Sequence, residues 1–247
     1  MTDWSVIFAS APMKGPDKRR VRRPPKPKRA ARALRDKSRS AEVRAGPGTT
    51  RRERSAATRE AILAAALDEF SARGFAAARL EDVARRAGVA KGTIYVHFRD
   101  KETLFEELVR SSLGPVVGLL RQVPADTLTA RAFLERLTET FAREVLGTRR
   151  KDVLRLVLTE GPRFPQLAQV HYREIIQRAL PMLRKGLEGA YARGELTSDA
   201  LVRFPQLLVA PALVAIVWDA LFARFEPLDG AALMRAQVDL IFGGAAR

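Results

Sequence analysis

From about residue 58 onward, large apolar side chains recur every three or four positions, and no strand-like alternation of any length interrupts them. That period stacks side chains on one face of an α-helix. Ile62, Leu63, Ala66, Leu67 and Phe70 mark a first helix, capped by Ser55 or Thr58 and stopped at Gly74. Leu80, Val83, Ala84 and Ala87 mark a second, ended by Gly88. GVAKG (88–92) reads as a tight turn with Val89 as a buried plug. In KGTIYVHFRDK (91–101), Ile94 and Phe98 give a third helix one buried edge and leave an outer face of Lys, Thr, Tyr and His. Asp100 caps a fourth helix, whose stripe of Leu104, Phe105, Leu108 and Val109 runs to Gly114–Pro115, a candidate hinge. Further helices are expected at about 129–146, 150–159, 167–193 with a kink at Pro181, 199–224 interrupted at Pro205 and Pro211, and 230–242. The pattern therefore predicts an all-α protein without internal repeats.

The third helix poses a chemical question, because its outer face suits no plain core. Two short helices joined by a glycine-containing turn form a helix-turn-helix, whose second helix can enter the major groove of duplex DNA. The groove requires groups that bond to phosphates and base edges. Thr93, Tyr95 and His97 supply short donors, and Gly92 leaves room for a close backbone approach. Lys101 adds charge at the start of the next helix. Taken alone, Tyr95 reads equally well as a half-buried core aromatic, and His97 as a structural histidine.

Residues 58–108 resemble the N-terminal domain of the TetR/AcrR family of transcriptional regulators. The resemblance is carried by ILAAALDEFSARGF (62–75), LEDVARRAGVAKGTIYVHF (80–98) and DKETLFEEL (100–108). It implies a three-helix DNA-binding domain, with its helix-turn-helix, at 55–101, followed by a helical regulatory and dimerisation domain at 102–247. It also implies base or near-base contacts at Lys91, Gly92 and Thr93, and phosphate contacts at Tyr95, His97 and Lys101. Arg79 stands where the family usually has a capping Ser or Thr that binds a phosphate, so the cap is lost while the phosphate contact stays open to arginine. Val96 is a second departure, at a position often aromatic or long and polar. RLVLTEGPRFPQLAQVHYREII (155–176) and FPQLLVAPALVAIVWDALFARF (204–225) look like a common variety of the family's regulatory domain. The implied function is a sequence-specific regulator, a dimeric repressor on a palindromic operator, released by an apolar small molecule. Helices five to eight are expected to line the pocket with Phe133, Leu137, Phe141, Tyr172, Ile176 and Trp218, with His171 and Tyr172 as its polar groups. The last two long helices are expected to form the dimer.

Charge modifies this picture at one end. The 247 residues carry a net charge of +16, of which residues 1–54 hold +12. That segment is rich in Pro, Gly, Arg and Lys and poor in large apolar side chains, so a disordered basic tail is expected. It reads as a DNA-binding arm, a solvated tail, or an extension without function, with Met13 as an alternative start. A second reading follows: a general or architectural DNA-binding protein driven by the tail. The chain has no cysteine, which removes thiolate metal sites and a cysteine nucleophile. No ligand-spaced His/Asp/Glu set, phosphate loop or nucleophile elbow is present, so neither enzyme, metal nor cofactor is expected. The apolar runs are too short to span a bilayer, and no secretory signal is evident, which points to the cytoplasm.

Overall fold

The first helix begins before the apolar pattern does. Thr50 accepts a hydrogen bond from the Glu53 amide at 3.3 Å, and the Glu53 carboxylate accepts from the Thr50 amide at 2.6 Å. This reciprocal cap satisfies two otherwise free amides, and it sets the N-cap of the helix five residues ahead of Ser55. Hydrophobic periodicity cannot register it, because Arg51–Arg54 contain no apolar side chain. The computed structural model describes residues 50–243, so the basic tail up to residue 49 and the Met13 alternative lie outside the described residues.

The described residues form helices α1 (Arg51–Ala77), α2 (Leu80–Arg86), α3 (Lys91–His97), α4 (Lys101–Arg121), α5 (Ala130–Phe141), α6 (Arg150–Glu160), α7 (Pro165–His171), α8 (Gln177–Ala192), α9 (Ala200–Arg203), α10 (Gln206–Phe222) and α11 (Gly230–Ile241). No strand occurs among them. Ala142–Leu146 and Tyr172–Ile176 are π-helical turns that continue α5 and join α7 to α8. The long helix expected at 167–193 is thus irregular at 172–176, ahead of Pro181, which sits inside α8.

Three prolines and glycines behave differently from the sequence expectation. Gly114 and Pro115 do not end α4, which continues to Arg121. Proline removes one backbone donor, but Leu113, Val116 and Val117 on either side are buried, and that packing holds the helix. Pro205 does interrupt the next long segment, between α9 and α10, whereas Pro211 lies within α10. A proline at 211 leaves the carbonyl of Leu207, four residues earlier, without its helical donor. The side-chain amide of Gln237 on α11 donates to that carbonyl instead. A backbone vacancy on one helix is thereby filled by its neighbour.

The join between the first three helices and the rest centres on Phe75. Gly74 has φ +72°, a left-handed conformation that breaks α1 and frees the next amide. That amide donates to Oε2 of Glu160, the last residue of α6, at 3.1 Å. Lys101 Nζ, at the start of α4, donates to the carbonyls of Phe75 and Ala76 at 2.9 and 3.0 Å and lies 4.7 Å from the Phe75 ring centroid. The ring packs against Phe70, Phe105 and Phe164, with centroids 5.2–5.8 Å away. Burying such a side chain contributes about 2–3 kcal/mol. One hydrophobic cluster runs without a break from Ile62 through Phe98 and Phe105 to Leu156 and Ile216. A second gathers residues of α5, α8 and α11 around Phe133, Leu134 and Leu187.

Candidate nucleic-acid interface and ligand cavity

Ile94 and Phe98 are buried and fix α3 to α1 and α2, as the spacing predicts. Arg59 of α1 lies over the Phe98 ring at 5.0 Å and pairs with Glu107 of α4 at 3.1 Å. Arg86 of α2 pairs with the buried Glu69 of α1 at 3.1 Å. The helix-turn-helix is therefore held by ions as well as by its core. Gly88, with φ +71°, makes the turn, and Val89 is partly buried against the cluster.

The opposite side of α3 is open. Lys91, Gly92, Tyr95 and Val96 are exposed, and Val96 reaches 83%. Thr93 and His97 are half-buried at its edges. A side chain at Gly92 would meet nothing within 4 Å, so the fold itself does not require glycine there. Arg79 is exposed and, as expected of arginine, makes no cap on α2.

Two of the expected contact residues already have a partner. Tyr95 donates its hydroxyl proton to Oε1 of Glu81 at 3.0 Å, and Lys91 Nζ pairs with the same oxygen at 3.0 Å. Glu81 sits in the first turn of α2. Its carboxyl is lowered to about 2 by its own backbone amide, then by Lys91 and Tyr95. The Lys91 ammonium and the Tyr95 phenol are both shifted upward by their hydrogen bonds to Glu81. Sequence reasoning missed Glu81, since ten residues separate it from Lys91 and only the turn brings them together. Lys101 also differs from expectation in one respect: its ammonium serves the Phe75 and Ala76 carbonyls, which makes it part of the fold.

Behind the head lies an apolar cavity of about 360 Å³. Of the expected lining, Leu137, Phe141, His171 and Ile176 reach it. Phe133, Tyr172 and Trp218 do not. Phe133 fills the second core cluster, so tightly that a Cβ on Gly186 would fall 2.6 Å from its ring. Tyr172 is 55% exposed. Trp218 donates its indole proton to the Glu226 carbonyl at 2.7 Å and stacks edge-on to Phe222. The missed lining includes residues of α4 (Leu113, Val116, Val117, Leu120), all but the first beyond the apparent stop at Gly114–Pro115, and of α10 (Leu208, Val209, Ala212, Leu213).

Among the described residues that line the cavity, only Thr138 and His171 are polar, and none is charged. Burial lowers His171 to about 4, which keeps the imidazole neutral near pH 7. The next turn of helix faces the other way. Glu174, buried, takes hydrogen bonds from Arg110 of α4 at 3.3 Å, Arg173 at 2.9 Å and Arg178 at 3.0 Å. Cavity wall and α4 are thus pinned together.

Known proteins share this layout. Residues 62–108 match the family model of bacterial regulatory proteins of the tetR family, and residues 124–241 match that of the tetracyclin repressor-like C-terminal domain. The chain is 32% identical over 156 residues to the HTH-type transcriptional repressor KstR2 of Mycolicibacterium smegmatis, covering 60% of this chain and 74% of that protein. Against KstR2 of Rhodococcus jostii it is 29% identical over 166 residues, covering 65% and 78%. Among solved structures, the fold is similar to FadR from Bacillus subtilis in complex with stearoyl-CoA, with a TM-score of 0.62, 22% identity, and coverage of 75% of this chain and 98% of that one. No described helix is long and apolar enough to cross a membrane. The head that exposes one face of α3, the helical body behind it, and these matches to both parts assign the chain to the TetR family of DNA-binding transcriptional regulators.

Proposed function

We propose that the protein is a cytoplasmic, dimeric repressor that reads a palindromic operator through α3 and leaves it when an apolar molecule fills the cavity. The reading head corresponds to residues 55–101 and the regulatory part to 102–247. The observation that carries the proposal is the two-sided build of α3, buried at Ile94 and Phe98 and open at Lys91, Gly92 and Tyr95, with Thr93 and His97 half-buried at the edges of the open face. Lys91 and Thr93 serve base edges. Arg79, Tyr95, His97 and Lys101 serve phosphates, and the bare Gly92 admits the DNA backbone. Two-fold symmetry requires half-sites whose centres lie roughly 34–36 Å apart or a multiple of that.

The effector reading rests on the cavity. Its apolar wall, with Thr138 and His171 as polar groups, suits a lipid-like or aromatic molecule. Repressors named KstR2 are among the relatives, and the FadR neighbour is described with stearoyl-CoA, which supports repression and an acyl-type ligand class without naming the ligand of this chain. Release requires that the ligand prefer the conformation with wrongly spaced heads. The test is selection of bound duplexes from a random pool, followed by footprinting and gel shift. A short palindrome, with Thr93→Ala relaxing the base preference, supports the reading. Uniform binding to all duplexes overturns it in favour of a general DNA-binding protein. Lipophilic compounds are then screened for thermal stabilisation together with DNA release.

A further inference from the structure

We propose that Glu81 is a specificity-determining residue, whose carboxylate withholds Tyr95 from the phosphates of unmatched DNA while leaving Lys91 able to donate to a base. This inference rests on the proposed role of α3 as the reading helix. It arises from a single juxtaposition: one carboxylate oxygen receives both the Lys91 ammonium and the Tyr95 hydroxyl at 3.0 Å, on the open side of the head.

The hydroxyl of Tyr95 has one proton, and Glu81 holds it. To donate to a phosphate, Tyr95 must release Glu81 and leave its carboxylate facing a polyanion. Lys91 differs, because an ammonium has three donors. It can keep Glu81 and still donate to a base acceptor such as the N7 or O6 of guanine. The carboxylate therefore permits the base contact and opposes the phosphate contact. At a matched site, the base contact offsets the cost of bringing Glu81 close to the duplex. At an unmatched site nothing offsets it, and the repulsion remains. Binding to arbitrary DNA is almost wholly electrostatic, so a fixed negative charge acts most strongly on that mode. The carboxylate stays ionised throughout the neutral range, as its depressed titration requires. A plain structural prop on α3 has less to recommend it. Ile94 and Phe98 already anchor the helix, and the side chain of Glu81 is 42% exposed.

The test uses the full-length protein with two probes: a duplex recovered from a random pool by the wild-type protein, and a shuffled duplex of equal composition. Affinities are measured for wild type, Glu81→Gln and Glu81→Ala over a range of salt. Glu81→Gln keeps an acceptor for both partners and loses the charge, and Glu81→Ala loses both. The expected result is a gain on the shuffled duplex of about threefold or more, with the log–log salt slope steeper by about one unit. The gain on the selected duplex is smaller, so the ratio between the two probes falls. Equal losses on both probes with a lowered melting temperature make Glu81 a structural prop and overturn the inference. Unchanged affinities and slopes overturn it as well. A wild-type protein that distinguishes neither duplex defeats the prior reading of α3, which separates the two failures.

Discussion

At the scale of single residues, two substitutions separate what the fold asks from what DNA asks. Arg79 occupies the N-cap of α2 with extended backbone (φ −125°, ψ 144°) and makes no capping bond. Serine there would accept from an amide of the first turn, so Arg79→Ser is expected to stabilise the protein by about 0.5–1 kcal/mol in a urea titration. It should meanwhile weaken binding to every duplex and flatten the salt dependence, if phosphate is what arginine serves. Lys101 carries the opposite lesson. Its ammonium closes the last carbonyls of α1, so Lys101→Ala is expected to cost about 1–2 kcal/mol of stability besides any loss in DNA affinity. A variant as stable as wild type would show the lysine free to serve DNA alone. This structural role is not evident in the linear sequence, where a lysine after Asp100 simply looks like charge at a helix start.

At the scale of elements, legibility followed local rules and failed where a distant partner decides. The caps at Asp100, Thr129 and Asp229 accept from amides three residues on, a relation wholly contained in the sequence. The buried edge of α3 was equally legible, because Ile94 and Phe98 need only their own spacing. Glycine–proline pairs and prolines were misleading. α4 passes through Pro115 and α10 through Pro211, and in the second case the compensation is Gln237, twenty-six residues away. The part of the cavity wall on α4 beyond Gly114, at Val116, Val117 and Leu120, was lost to the sequence reading for this reason. The other error was aromatic: Phe133, Tyr172 and Trp218 looked like lining by size, yet one fills a core, one faces solvent and one ties down a loop. The wall now identified makes a sharper prediction. Ala179 lines the cavity on α8, and Ala179→Phe should fill it. DNA binding should persist in gel shifts while any compound that releases the wild-type protein loses its effect. Full response in that variant would move the effector elsewhere.

At the scale of the whole molecule, α10 packs one face on α11 and leaves Val214, Val217, Leu221 and Phe222 exposed. A contiguous apolar face of that kind marks an interface, and a second copy is its proposed cover. Ala215, which the apolar run alone would nominate for disruption, is buried against α11, since a Cβ on Gly230 would fall 2.7 Å from its own. Val217→Glu is therefore the better probe. It should yield monomers by light scattering at micromolar concentration and abolish binding to a two-half-site duplex. An intact dimer would place the interface on another surface.

The Phe75 joint has a bearing on protein engineering. Regulators with a separate head and body invite chimeras, in which one member's reading head is grafted to another's sensor. Here the seam is not a linker. The head's broken helix is finished by Glu160 from one side and Lys101 from the other, with Phe164 and Phe105 closing over its ring. A graft cut at the start of α4 would expose that ring and strand a buried amide. A working hybrid has to import Lys101, Phe105 and residues 160–164 together with the head, or accept a donor body that already presents an ammonium, a carboxylate and aromatics at the same places.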